Sequence, residues 1–191
     1  MKLKLNFIAF LTLILVGCTG SEIKIRPENS LLDQRVNESY SAVGLLDVST
    51  GKNLPSIGNL TEAFSHEIRA SRVAKDVYYP ARPDDKTEVT FESKFNSEVD
   101  THSGSTFAKS FLTGFTFFIL EPIFWYDFDY KLSGTVDVLK DGIVIKQSTA
   151  VTDATISVKW LSLGDVTKLE SDAISQAKKS LFHQLLSDVK K

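Results

Sequence analysis

The chain has 191 residues, with 22 Lys+Arg against 24 Asp+Glu, a single Cys and 42% hydrophobic residues. That length fits one domain, and this much apolar content beside 24% charged residues excludes a disordered or collagen-like chain. A net charge of -2 supplies no basic field for nucleic acid, and one Cys excludes an intramolecular disulfide framework or a Cys-based zinc site.

Lys2 and Lys4 make a short positive start, and Phe7 to Val16 is an almost wholly apolar run closed by Gly17-Cys18. About ten apolar residues fall short of the roughly 20 that a spanning helix needs. The lengths and flanks are those of a secretory signal, so this segment stands outside the fold. Its end, Leu15-Val16-Gly17-Cys18, resembles the lipobox of bacterial lipoproteins, in which an aliphatic residue, a small residue or Val, and Gly or Ala precede an obligatory Cys. The resemblance implies a signal peptide at 1–17, removed before Cys18, and acyl chains on Cys18 itself. Burial of each CH₂ contributes about 0.8 kcal/mol, so several chains on one residue form a stable membrane anchor. Thr19, rather than Asp, follows the Cys. In enteric-type bacteria that implies export to the outer membrane, facing the periplasm.

Residues 18–39 read as a lipidated tether, polar and mixed, with Pro27 and a short strand at Ile23–Ile25. The domain proper is expected at 40–191. Tyr40 to Asp47 is a short apolar run suited to a buried strand. Ile57, Leu60, Phe64 and Ile68 recur at steps of three and four, which predicts an amphipathic helix over 57–72 capped by Ser56 or Asn59. Val73 to Tyr79 can return as a strand. Thr87 to Asp100 alternates, with Val89, Phe91, Phe95 and Val99 on one face and Glu88, Glu92, Lys94 and Glu98 on the other.

Phe128, Tyr130, Leu132, Val136 and Val138 alternate with charged residues, and Asp141-Gly142 is a pair favoured in tight hairpins. Ile143 to Trp160 is the expected partner strand, with a break near Asp153. From Asp165 to Val189, Leu169, Ala173, Ala177, Leu181, Leu185 and Val189 step by four, a long helix widened by Ile174 and Phe182. The order predicts a single α+β domain with a mainly antiparallel sheet and two helices packed on one face. It is similar, in element order alone, to small envelope lipoprotein domains that activate penicillin-binding proteins and to the amino-terminal domain of the translocation protein TolB.

A Phe-rich apolar insert at 107–126 interrupts this pattern. Seven of the thirteen Phe fall at Phe107, Phe111, Phe115, Phe117, Phe118, Phe124 and Phe128, and no charge stands between Ser110 and Leu120. As a helix, 105–120 would rise about 22 Å at 1.5 Å per residue. That is short of the roughly 30 Å hydrocarbon core, so a full crossing is not expected. Three readings stay open: a buried core element, a monotopic insertion into the bilayer, or a docking surface for a protein partner. The candidate partner- or membrane-contacting residues are Phe111, Phe115, Phe117, Phe118 and Trp125, with Trp125, Tyr126 and Tyr130 suited to an interfacial belt.

Sites for chemistry are scarce. His66, His102 and His183 stand too far apart for a helical zinc pair, and no Gly-x-Ser-x-Gly elbow supports a catalytic triad. Gly51-Lys52 lacks the earlier glycine of a phosphate loop, since Leu46 stands there. Asp127 and Asp129 could serve a wall-modifying hydrolase as paired carboxylates, but strand alternation alone places both on one solvent face. The expectation is a membrane-anchored bacterial envelope lipoprotein without metal, cofactor or enzymatic activity, working as an adaptor or accessory subunit with an envelope protein partner. A membrane-perturbing lipoprotein and a cell-wall-modifying enzyme are the alternatives.

Overall fold

The computed structural model describes residues 20–27, 40–49, 54–100, 124–159 and 166–189. Six strands and two helices follow in the order β1 (Ser21–Arg26), β2 (Tyr40–Asp47), α1 (Leu60–Ala70), β3 (Ala74–Tyr78), β4 (Val89–Asp100), β5 (Trp125–Lys140), β6 (Ile143–Lys159) and α2 (Val166–Val189). The strands form one sheet in the order β1-β6-β5-β4-β2-β3. The class is α+β, and the sheet is mixed. β2 pairs in parallel with β3, Tyr40 opposite Ala74, and in parallel with β4, Val43 opposite Val89. The intervening α1 explains the first pairing, because a helix between two strands carries the chain back to begin the second in the same direction.

Local chemistry accounts for the elements. Asn59 caps α1, its side-chain oxygen accepting from the Glu62 N–H at 3.0 Å. The far end of α1 closes as a Schellman motif: the Arg72 N–H donates to the Arg69 carbonyl and the Val73 N–H to the Ile68 carbonyl, each at 3.2 Å. Asp141 and Gly142 join β5 to β6 with φ of 53° and 77°, the left-handed pair of a type I′ hairpin turn. β6 runs unbroken past Asp153, which faces outward between the buried Thr152 and Ala154.

The chain divides into two compact units, described separately. The larger holds 25–98, 130–153 and 174–191. Its centre is a trio of rings from α1, β4 and α2, with Phe64 to Phe182 at 5.2 Å, Phe64 to Phe95 at 5.6 Å and Phe95 to Phe182 at 5.8 Å between centroids. Both helices therefore meet the face of the sheet that Phe95 occupies. The inner face of β4 is Val89, Phe91, Ser93, Phe95 and Ser97, while Val99 is exposed. The two serines are satisfied there: the Ser93 hydroxyl donates to the Leu46 carbonyl at 3.1 Å, and the Ser97 hydroxyl accepts from the Leu54 N–H at 2.9 Å. Small residues on β6 let α2 approach. Thr152 meets Ser180 and Gln184, and the Ser148 hydroxyl donates to Asp188 at 3.0 Å.

The smaller unit holds 1–24, 99–129 and 154–173. Among its described residues, Tyr126, Ala154, Ile156, Val158 and Ala173 are buried. Its strand ends carry the features of interest.

Candidate functional site

Cys18 and the candidate contact residues Phe111, Phe115, Phe117 and Phe118 lie outside the described residues. Trp125 lies within them, as the first residue of β5. It is 38% exposed, a large share for an indole. Lys159, the last residue of β6, holds its Nζ 5.4 Å from the Trp125 ring centroid, within cation–π range. Four residues inward on β5, the Asp129 carboxylate accepts from the Thr155 hydroxyl of β6 at 2.6 Å. The same register that matches Asp129 to Thr155 brings Trp125 opposite Lys159.

A third strand completes the corner. The Lys159 N–H donates to the Gly20 carbonyl at 2.9 Å, just before β1 begins at Ser21. The strand expected at Ile23–Ile25 is thus present and longer, running over Ser21–Arg26 as an edge of the sheet. The Glu22 and Lys24 side chains of β1 pair at 3.2 Å, both half exposed, so they add no net charge beside the corner.

Sequence reasoning placed Trp125 among the contact residues but missed Lys159 and Gly20. Counting both strands back from the two-residue Asp141-Gly142 turn sets Trp125 opposite Val158, because β5 has 16 residues and β6 has 17. The one-residue offset that faces Asp129 with Thr155, and Trp125 with Lys159, has no signal in the turn itself. The Gly20 contact is a backbone bond between residues far apart in the chain, and no side-chain pattern announces it.

Elsewhere the outer sheet face carries polar pairs. Asp137 of β5 is 7% exposed; it accepts from the Gln147 amide at 2.5 Å and meets the Lys94 ammonium at 3.6 Å. Thr135 and Thr149 meet at 3.2 Å. These are cross-strand partners that satisfy each other. Asp127 and Asp129 are both half-buried on that face, and Asp129 is engaged by Thr155. His66 is exposed on α1 and His183 half-buried on α2, while His102 lies outside the described residues. Among the described residues no cluster of His, Cys, Asp and Glu could hold a metal, and no helix is long and apolar enough to cross a membrane.

No family model and no curated protein matches the chain. Among solved structures it is similar to a minor lipoprotein from Acinetobacter baumannii, at 10% identity and a TM-score of 0.44, over 79% of this chain and 94% of that one. It is also similar to a PelC dodecamer from Paraburkholderia phytofirmans, at 12% identity and a TM-score of 0.39, over 89% of this chain and 99% of that one. A point variant of the same PelC dodecamer gives 12% identity and a TM-score of 0.30, over 85% and 97%. With scores this low, the likenesses assign neither a function nor an assembly to this chain.

Proposed function

We propose that this chain is a bacterial envelope lipoprotein, held to the membrane by acyl chains on Cys18 and acting there without catalysis, as an adaptor or accessory subunit for an envelope protein. The observation that carries the reading is the lipobox-like Leu15-Val16-Gly17-Cys18, placed at the end of an apolar run behind Lys2 and Lys4 and holding the only Cys of the chain. Thr19 favours the outer membrane as the destination, with the domain facing the periplasm. The non-enzymatic part of the reading has chemical support. On the outer sheet face, Asp129 is tied to a hydroxyl and Asp137 to an amide and an ammonium, which suits structure better than proton transfer.

The test is expression of the chain and of Cys18→Ala with an alkynyl fatty acid, followed by fractionation of the envelope. Label on the parent chain, absent from Cys18→Ala, with the variant folded and released from the membrane, is the expected result. A parent chain that takes no label, or a variant that stays with the outer membrane and keeps full function, overturns the reading.

A further inference from the structure

The first described residue, Gly20, stands two positions after Cys18 and is already fixed to the sheet by the Lys159 N–H. A β-carbon on Gly20 would stand 3.2 Å from Trp125 Cη2, and 3.5 and 3.7 Å from Lys159 Cδ and Cε. The indole edge and the lysine stem therefore lie over the Gly20 backbone. Each peptide step spans at most about 3.6 Å, so the Cα of Cys18 lies within roughly 7 Å of that of Gly20. Whatever holds Cys18 holds this corner.

The geometry points to the Gly20–Trp125–Lys159 corner as the lipid-contacting surface of the domain, with the phosphate-bearing headgroups of the bilayer as its ligand. This rests on the reading that Cys18 is acylated. Acyl chains on Cys18 sink into hydrocarbon and leave the backbone at the headgroup layer, which is about 5–7 Å deep on each side of a bilayer. A corner within roughly 7 Å of the anchor is kept within that layer or at its outer edge. Its chemistry suits the place. An indole joins an apolar body to one N–H donor and collects at the boundary between hydrocarbon and headgroups. A lysine lays its stem on apolar surface and turns its ammonium to phosphate. A flexible tether after Cys18 would let the domain turn freely; docking at Gly20 gives it one orientation.

The experiment uses the full acylated chain, with Trp160→Phe leaving Trp125 as its indole reporter, in phosphatidylcholine vesicles with or without about a quarter phosphatidylglycerol. Blue-shifted Trp125 emission, quenched by lipids labelled near the headgroup and shielded from iodide, is the expected result. Lys159→Glu should weaken that quenching several-fold in the anionic vesicles and little in the neutral ones. The circular dichroism and urea midpoint of Trp160→Phe, matched to those of the parent chain, guard against misfolding of the reporter protein. An acylated, vesicle-bound chain whose Trp125 remains open to iodide and untouched by the lipid label overturns the inference alone. So does shielding of Trp125 that appears only when other envelope proteins are present, since the occupant would then be a protein. A chain whose mass shows no acyl groups overturns the anchored reading and this inference with it.

Discussion

The ring of Phe95 fills the space in front of Gly134. A β-carbon on Gly134 would stand 2.7 Å from both Cδ1 and Cε1 of that ring and 3.1 Å from Leu185 Cδ1. Three elements thus meet over one missing side chain: β4 supplies the ring, β5 the gap and α2 the methyl group. Phe95 is also the hinge of the aromatic trio, touching Phe64 and Phe182. Its position is over-determined, and it has little freedom to yield.

Gly134→Ala is therefore expected to destabilise the fold by about 1–3 kcal/mol, the usual effect of overpacking a filled core. Urea unfolding measures it. Gly134→Ala combined with Phe95→Leu should be less destabilised than the two single variants taken together, because the smaller side chain relieves the clash. Additive effects would mean that the ring and the glycine are independent.

Tyr40 closes the fold from the other side. Its hydroxyl donates to the Val189 carbonyl at 3.0 Å, across 149 residues, and so satisfies one of the carbonyls left open at the end of α2. The ring meanwhile packs edge-on against Phe91 with centroids 5.8 Å apart. Tyr40→Phe keeps the ring and removes the donor. A loss of about 1–2 kcal/mol is expected, since a buried acceptor is left unsatisfied. Faster amide exchange confined to the last turn of α2 would locate the effect there.

These relationships mark what the sequence makes legible. The Asp141-Gly142 turn was readable because its chemistry is local: a left-handed pair joins strands whose own alternation fixes their faces. The four-residue stripe of α2 was readable for the same reason, and Ala177, Leu181, Leu185 and Val189 are all buried. The inner face of β4 was half legible. Phe91 and Phe95 announce it, whereas Ser93 and Ser97 look like surface until Leu46 and Leu54 supply their partners. Pairing between distant strands leaves weaker traces. The parallel partners of β2 and the Gly20–Lys159 bond depend on backbone groups that every residue carries. The contact role assigned to Phe111, Phe115, Phe117 and Phe118 falls outside the described residues.

Arg72 occupies a position that favours glycine. It follows α1 with φ of 55°, at the left-handed step of the Schellman motif, and its side chain is exposed. A β-carbon in that conformation costs roughly 1–2 kcal/mol, part of which glycine loses again through its freer unfolded chain. Arg72→Gly should thus raise stability by about 0.5–1 kcal/mol, read as a higher urea midpoint at unchanged slope. Arg72→Val, branched at the β-carbon, should do the opposite. A destabilised glycine variant would show that the guanidinium makes a contact worth more than the strain.

Lys178 gives the fold a pH dependence whose sign can be worked out. The ammonium donates to the Ile57 carbonyl ahead of α1, and burial lowers its pKa from the ordinary lysine value. The folded chain thus releases this proton at a lower pH than the unfolded chain does. Between the lowered value and the ordinary one, the unfolded state binds more protons, so stability rises with pH across that window. Below it, both states are charged and the folded state bears the full cost of the buried charge. The hydrogen bond itself survives deprotonation, because a neutral amine still donates to Ile57. Lys178→Met removes both the charge and the donor. The stability difference, parent chain minus variant, should accordingly increase as pH is raised from neutral towards about 10, near where a free lysine titrates. Urea unfolding of both proteins across that range measures it. A difference that is flat, or that shrinks with rising pH, would show that the Lys178 ammonium is as well solvated in the fold as in the open chain.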